Sequence, residues 1–250
     1  MNEKIAALVQ LSREIGREDR ALAILGEGNV SVRLDSEQFA VKASGCSLAT
    51  LMEAEVTLCQ TGKVLALLEN KALPDAKVEQ ALLEVRVDAA AKKPSMEALF
   101  HAWLLTLEGV AFVAHCHPVA ACQVLCSPRA RDFAERRMFP DEIVYCGAAA
   151  VYVPYVEPGL PLAREIRERT IAFIKEHGDT PRIIMLQNHG IIALGVTPGG
   201  VLASVLMANK AAAVFAGAAA IGGPNFLLPP QVERIAVRPD EHYRRGTVEK

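Results

Sequence analysis

The feature that most constrains the fold is a mixture of short extended runs with helical segments. Residues 30–34 and 39–42 are extended runs joined by a short polar turn, which predicts an antiparallel hairpin. Residues 56–59 and 64–67 predict a second hairpin, and later runs at 110–117, 148–155, 182–186 and 191–194 predict further strands. Helical spacing marks residues 4–16, 75–91, 95–109, 161–177 and a long Ala-rich segment after Pro198. Helices mixed with hairpins predict an α/β fold with a mostly antiparallel sheet covered by helices.

Length and composition limit the class of protein. A chain of 250 residues with 51% hydrophobic residues can bury one large core, so we expect a single domain, residues 1–250, with a core to about 225 and a tail over 226–250. The net charge of −2, with basic residues scattered, argues against nucleic acid or an anionic membrane as the main partner. The apolar stretch 201–221 is broken by Asn209 and Lys210, which predicts a buried helix rather than a membrane span. A polar start and six cysteines without small-scaffold spacing predict a cytoplasmic protein with reduced thiols.

Two histidines stand at the end of one predicted strand. In His115-Cys116-His117, residues i and i+2 point to the same face, so the imidazoles can share a cation. The same alternation sends Cys116 to the opposite face, where a core position is expected. Taken alone, the pair fits a chance occurrence on a strand as well as it fits half of a metal site.

His189 and Glu97 extend this hypothesis. His189 lies in the turn Asn188-His189-Gly190 between two apolar runs, from which it could reach a metal on a neighbouring strand. Three histidine nitrogens and an open position are typical of a catalytic zinc site. Glu97, at the start of a helix leading to the histidine strand, could act as general acid and base. A loop histidine and an ordinary first-turn glutamate are the alternatives for these two positions.

Small polar turns supply candidate anion-binding groups. Backbone N–H groups and short polar side chains in such turns can bind phosphate or carboxylate oxygens, although each turn alone is weak evidence. The candidates for substrate binding are Gly28, Asn29, Ser44, Gly45 and Ser95.

The ordered motifs resemble the class II aldolase/adducin family, which includes fuculose-phosphate and rhamnulose-phosphate aldolases. They cover nearly the whole chain: Gly28-Asn29-Val30-Ser31, Lys42-Ala43-Ser44-Gly45, Pro94-Ser95-Met96-Glu97, His115-Cys116-His117-Pro118 and Asn188-His189-Gly190. The resemblance implies a three-layer α/β/α sandwich and a homo-oligomer, commonly a tetramer, with active sites at subunit interfaces. It implies Zn²⁺, with Mn²⁺ or Co²⁺ as alternatives, on His115, His117 and His189. Glu97 would then be the catalytic acid/base, and Asn29, Ser44, Gly45 and Ser95 would bind a substrate phosphate.

The reaction that the resemblance favours is aldol cleavage of a ketose 1-phosphate through a metal-stabilised enediolate. A decarboxylase, dehydratase or epimerase acting on a sugar phosphate or oxo acid is the alternative, and a non-enzymatic scaffold of the adducin kind is the third. Met96 stands where sugar-phosphate aldolases commonly carry a second serine, and Cys46 where a polar residue is frequent. Because of these two departures, the motifs do not assign the group that the substrate carries at its phosphate end. An assisting tyrosine could be Tyr145, Tyr152, Tyr155 or Tyr243, and the charged tail around residues 240–245 could close over a neighbour's site.

Overall fold

The computed structural model describes residues 2–248, except the side chains of residues 75, 76, 242, 244 and 248. One seven-stranded sheet forms the middle of the fold, in the order β3-β2-β1-β4-β7-β6-β5. All neighbouring strands are antiparallel except β5 and β6, which are parallel. The strands are β1 (Asn29–Arg33), β2 (Gln38–Lys42), β3 (Val56–Gln60), β4 (Phe112–Cys116), β5 (Val151–Val153), β6 (Ile183–Leu186) and β7 (Gly190–Gly195).

Helices cover both faces of the sheet. They are α1 (Glu3–Ile15), α2 (Thr61–Glu69), α3 (Asp75–Glu84), α4 (Ala98–Leu104), α5 (Val119–Leu125), α6 (Ala130–Glu135), α7 (Pro140–Cys146), α8 (Leu160–His177), α9 (Pro198–Ala220), α10 (Pro229–Ala236) and α11 (Pro239–Val248). One buried apolar cluster joins a face of the sheet to α1, α5, α6 and α9. A second cluster joins the other face to α2, α3, α4 and α8. The predicted three-layer α/β/α single domain with a mostly antiparallel sheet is therefore confirmed.

The first predicted hairpin is present, and the second is wrong. β1 and β2 pair through a turn in which the Asp35 carboxylate accepts hydrogen bonds from the backbone N–H groups of Glu37 and Gln38, at 2.7 and 2.8 Å. Residues 64–67 lie in α2 instead of a strand. Val64 and Leu68 are buried four residues apart, which is helical spacing, and β3 pairs with β2.

The helix predicted over residues 75–91 ends early, at Glu84. Beyond it the chain runs along the free edge of β3, where Gln60 N–H donates to the Val85 carbonyl at 2.8 Å and Val87 N–H donates to the Leu58 carbonyl at 2.9 Å. Pairing with the strand edge satisfies these backbone groups better than one more helical turn would.

The tail folds back on its own domain. Within the described chain, α10 contacts α7, and α11 contacts both α7 and α9. The predicted closure of the tail over a neighbouring subunit stays a prediction, and residues 249 and 250 lie outside the described part.

The long helix α9 has the length and apolar composition to cross a membrane. In this fold, however, its inner face is part of the core, with Val201, Val205, Ala208 and Phe215 buried. The Ser204 hydroxyl on the same face donates to the Tyr145 carbonyl at 2.7 Å. The prediction of a buried Ala-rich helix agrees with this packing.

A buried histidine lies between β1 and α4. The imidazole of His101 is fully buried, and its Nδ1 lies 2.7 Å from the Ser31 hydroxyl oxygen. Its Nε2 has no hydrogen-bond partner within residues 2–248. Burial lowers the pKa of His101 from 6.5 to about 3, although the nearby Glu97 carboxylate opposes this shift.

This depressed pKa predicts acid sensitivity of the metal-free fold. The unfolded chain binds a proton at His101 near pH 6.5, whereas the folded chain does so only at about pH 3. The contribution of neutral His101 to the free energy of unfolding is therefore complete above pH 6.5 and is lost as the pH falls below it. His101→Gln keeps a polar partner for Ser31 without titrating, so its stability should fall less steeply, by about 1.4 kcal/mol per pH unit. Urea unfolding of both proteins in a chelator, between pH 7 and 4, measures the difference; parallel curves would contradict the burial argument.

Candidate metal centre

Three histidines converge where β4 ends beside β7. His115 is in β4, His117 follows that strand, and His189 lies in the turn between β6 and β7. Because β4 pairs with β7, the turn lies beside the His115-Cys116-His117 segment. The Nε2 atoms of His115 and His117 are 3.0 Å apart, and candidate ligand atoms of all three rings lie within 4.8 Å of one another. Cys116 points into the core on the opposite face, as predicted.

The backbone of the Asn188-His189-Gly190 turn explains its residues. Asn188 adopts a left-handed conformation with φ +56°, which asparagine tolerates better than most residues. A Cβ at Gly190 would lie 2.5 Å from the Cys116 carbonyl oxygen and 2.7 Å from His117 Cδ2. Only glycine therefore lets β7 approach β4 closely enough to bring His189 to the other two histidines.

The imidazoles of the β4 segment are oriented for metal binding. His115 Nδ1–H donates to the Ile191 carbonyl at 3.0 Å, which makes Nε2 the ring nitrogen that can bind a metal. His117 Nδ1 lies 3.4 Å from Glu27 Oε2, so its Nε2 also faces the cluster. Burial, followed by repulsion from His115 and His189, lowers the pKa of His117 to about 3, so this ring is neutral near pH 7.

Glu97 brings a carboxylate against two of these rings. Its Oε1 lies 3.2 Å from His115 Nε2 and 3.5 Å from His189 Nε2. Burial alone would raise the pKa of Glu97, but the two imidazoles hold it well below its ordinary value. The same pair raises the pKa of His115, because Glu97 outweighs the effect of burial there. Glu97 directly precedes α4 rather than lying in its first turn, a one-residue difference from the prediction.

This donor set fits a divalent cation. Three neutral imidazole nitrogens with a neighbouring carboxylate are the ligands that zinc and related divalent metals take in catalytic sites. A cation would also compensate the negative charge of Glu97, whose side chain is only 18% exposed and which His115 balances only when protonated. His115, His117 and His189 would hold the metal.

Asn29 and Ser95 connect Glu97 to the neighbouring loops. The Asn29 amide nitrogen donates to Glu97 Oε2 and, at 3.3 Å, to the Ser95 hydroxyl oxygen. Ser95 Oγ also accepts the Glu97 backbone N–H at 3.3 Å, so the Ser95 hydroxyl proton is available to a ligand. The Asn29 carbonyl oxygen is buried and lacks a hydrogen-bond partner in the described part of the chain. Ser95 thus offers a ligand a donor, whereas Asn29 serves to hold Glu97.

The other predicted substrate-binding residues lie on adjacent loops. Ser44 N–H donates to the Lys93 carbonyl at 2.9 Å and Ala43 bridges to Pro94, which brings the exposed Ser44-Gly45 turn beside Ser95. A Cβ at Gly28, whose φ is +72°, would lie 2.7 Å from the His115 carbonyl oxygen. Gly28 is therefore required for close approach to β4, and its predicted role in substrate binding stays a prediction.

Met96 and Cys46, the residues that depart from the family pattern, have different surroundings. A Cβ at Gly159 would lie 3.1 Å from the Met96 sulfur, so Met96 packs toward the start of α8. Cys46 is buried, and its thiol lies 3.7 Å from the Lys92 ammonium.

The four candidate tyrosines are spread over the domain. Tyr145 is in the core, and Tyr243 is exposed on α11. The Tyr152 hydroxyl donates to Gln187, two residues before His189, at 2.8 Å, and the Tyr155 hydroxyl donates to Glu157 at 3.1 Å. Tyr152 contacts the segment carrying His189 through its hydroxyl, whereas Tyr155 contacts it through its backbone N–H, which donates to Gln187 Oε1 at 3.2 Å.

Two charged residues of this region were not predicted from the sequence to belong to the site. Lys42 is buried, and its ammonium donates to the carbonyls of Gly26 and Cys46 at 3.2 and 2.6 Å, which ties the two glycine-containing loops together. Burial lowers the pKa of Lys42. Glu27, the contact of His117, is the second. One sequence feature could have identified Glu27. Its carboxylate lies in a turn that was predicted to bind anions, where a negative charge is unexpected.

Comparison with known proteins finds the same fold in aldolases. The chain superimposes on an L-fuculose 1-phosphate aldolase with a TM-score of 0.71, at 16% identity over 98% of this chain and 97% of that one. The N-terminal class II aldolase domain of a conserved Thermoplasma acidophilum protein gives 0.69 at 24% identity, over 86% and 95% of the two chains. YgbL from Klebsiella pneumoniae, proposed to be an aldolase, epimerase or decarboxylase, gives 0.69 at 16% identity, over 93% and 97%.

The chain is also similar in sequence to a Bacillus subtilis protein and to a protein family. The Bacillus subtilis (strain 168) protein YuxG, called an uncharacterized oxidoreductase, is 27% identical over 201 residues, which are 77% of this chain. The matched part is only 27% of that longer protein. Residues 6–216 match the family of class II aldolase and adducin N-terminal domains. The chain therefore belongs to the class II aldolase and adducin N-terminal domain family.

Proposed function

We propose that this protein is a zinc-dependent lyase that cleaves a ketose 1-phosphate, or a similar sugar derivative, by an aldol reaction. The observation that carries the proposal is the Glu97 carboxylate held against two of three converging imidazoles. A metal site alone would fit a structural role, but a carboxylate beside it supplies the proton transfer that aldol chemistry needs.

Each residue of the site has a task in this proposal. A divalent cation on His115, His117 and His189 supplies Lewis acidity that stabilises negative charge developing on the substrate oxygens. Glu97 takes up and returns the proton at the reacting carbon. The hydrogen bond from Asn29 directs one oxygen of Glu97 away from the imidazoles and fixes the carboxylate.

The far end of the substrate would lie at the Ser44-Gly45 turn and Ser95. The free hydroxyl proton of Ser95 and the exposed turn are suited to an anionic oxygen. Gly28 would allow the backbone to approach the ligand.

The packing of Met96 toward α8 supports a second candidate. With one hydroxyl fewer at the phosphate end, a decarboxylase, dehydratase or epimerase acting on a sugar phosphate or an oxo acid would use the same metal and Glu97. In either case we propose a cytoplasmic homo-oligomer, with tetramer as the expected state, and a small-molecule substrate.

The metal assignment predicts the effect of removing one ligand. His117→Ala should lose most of the bound zinc, because two imidazoles hold the ion far more weakly than three. Elemental analysis of the purified proteins measures zinc per chain. His177→Ala removes an exposed histidine from α8 and is the matched control. Unchanged zinc in His117→Ala would exclude it as a ligand.

The role of Glu97 predicts a separation of metal binding from turnover. Glu97→Gln keeps the shape and one oxygen that can accept the Asn29 hydrogen bond, but it cannot transfer a proton. Zinc should therefore remain while activity falls by about 10²-fold or more. Exchange of carbon-bound hydrogen of dihydroxyacetone phosphate with D₂O, followed by NMR, tests the proton transfer without knowledge of the aldehyde. Glu84→Gln, exposed at the end of α3, is the control. Retained turnover in Glu97→Gln would reject the role.

A substrate screen decides between the two candidate reactions. Zinc-loaded enzyme would be assayed against ketose 1-phosphates, including L-fuculose 1-phosphate, and against 2-oxo and 3-oxo acids. We expect release of a three-carbon ketone phosphate and an aldehyde from a ketose 1-phosphate. Release of CO₂ or water, or epimerisation without cleavage, would replace the aldol assignment by the second candidate.

A further inference from the structure

The carboxylate of Glu27 lies behind His117, on the side away from the other two histidines. Its Oε2 is 3.4 Å from His117 Nδ1, whereas His117 Nε2 faces His115. We propose that Glu27 is a positioning residue for the metal, which accepts the Nδ1–H of His117 and so fixes the ring with Nε2 toward the ion. This inference rests on the proposed metal-dependent function and deepens it.

The backbone holds the Glu27 carboxylate in place before any metal binds. Glu27 N–H donates to the Ile24 carbonyl at 3.2 Å, and Ile24 N–H donates in return to Glu27 Oε2 at 3.2 Å. Leu25 between them is left-handed, with φ +56°, and its side chain is 87% exposed. A left-handed leucine costs free energy, so a conformation of this kind needs support from its surroundings.

This turn is also attached to the histidine segment itself. His117 N–H donates to the Leu22 carbonyl at 3.0 Å, and Val119 N–H donates to the Ala21 carbonyl at 3.1 Å. On the other side, Gly28 lies against the His115 carbonyl. The backbone pairing fixes the distance between the Glu27 turn and the ring of His117.

His117 has the greater need of such support. The His115 side chain is fully buried and donates to a backbone carbonyl, whereas the His117 side chain is 25% exposed. A partly exposed ring can rotate, and rotation would carry Nε2 away from the metal. Carboxylates that accept the second N–H of a metal-binding histidine prevent this rotation, and their loss typically weakens metal binding by about 10- to 100-fold.

The alternative role for Glu27 is to stabilise its own turn through the Ile24 hydrogen bond. Two variants of the 250-residue chain, compared by their metal binding, test the role toward His117. Glu27→Ala removes the acceptor, and Glu27→Gln keeps a neutral carbonyl oxygen that can still accept from Nδ1–H. Glu53→Gln removes the same charge from an exposed position and is the matched control.

The measurements are Co²⁺ affinity, by competition with a chelator, and the visible absorption spectrum of the Co²⁺-loaded protein. We expect Glu27→Ala to weaken Co²⁺ binding by about 10- to 100-fold and to change the ligand-field bands. Glu27→Gln should recover part of both, and Glu53→Gln should match the wild type. If Glu27→Ala does not fold, the reduced affinity and altered spectrum of Glu27→Gln support the proposal.

Two results would overturn the inference, and they differ from each other. Wild-type affinity and spectrum in folded Glu27→Ala, or in Glu27→Gln where Glu27→Ala does not fold, would leave Glu27 a turn residue. With Co²⁺ bound normally by the wild type, the proposed function would stay intact. Failure of the wild type itself to bind Co²⁺ would remove the proposed function together with the inference.

Discussion

The close approach of β7 to the end of β4 is the constraint on which the site depends. His115 and His117 share one strand end by simple alternation, but His189 is more than 70 residues away in the chain. Gly190 permits this approach because the Cys116 carbonyl and the His117 ring occupy the space that a side chain at this position would need. Any larger residue would push the two strand ends apart and separate the three imidazoles.

Charge is the second condition for the site. A buried carboxylate is costly unless a positive group compensates it, and Glu97 faces imidazoles rather than lysine or arginine. Without a metal, the contacts with the His115 and His189 imidazoles offset that charge. A cation among the imidazoles would balance it with all three rings neutral, which is the state in which they can act as ligands.

The predictable parts of the structure were those that depend on local patterns. The β1–β2 hairpin followed from two extended runs and a short Asp-containing turn, and the alternation in β4 correctly separated His115 and His117 from Cys116. The predicted second hairpin failed because residues 64–67 are apolar enough for either a strand or a helix. Only the burial of Val64 and Leu68 on one helical face identifies this segment as a helix. The helix over residues 75–91 was too long because pairing of Val85 with the edge of β3 is a tertiary contact.

The site was predictable to a different degree at each residue. His189 could not be joined to the strand histidines by spacing, and only the resemblance of the ordered motifs brought it to them. Glu27 was overlooked because its turn was interpreted as a place for an anion, and its contact with His117 depends on the left-handed Leu25. Similarly, the burial of Lys42 depends on two loops that meet only in the folded chain.

The central claim is that His115, His117 and His189 together bind a divalent cation. X-ray absorption at the zinc edge of the zinc-loaded protein tests it most directly, since it reports the atoms around the ion. The account predicts three imidazole nitrogens at about 2.0–2.1 Å and otherwise only oxygen neighbours. A sulfur neighbour at about 2.3 Å, or fewer than three imidazoles, would contradict it.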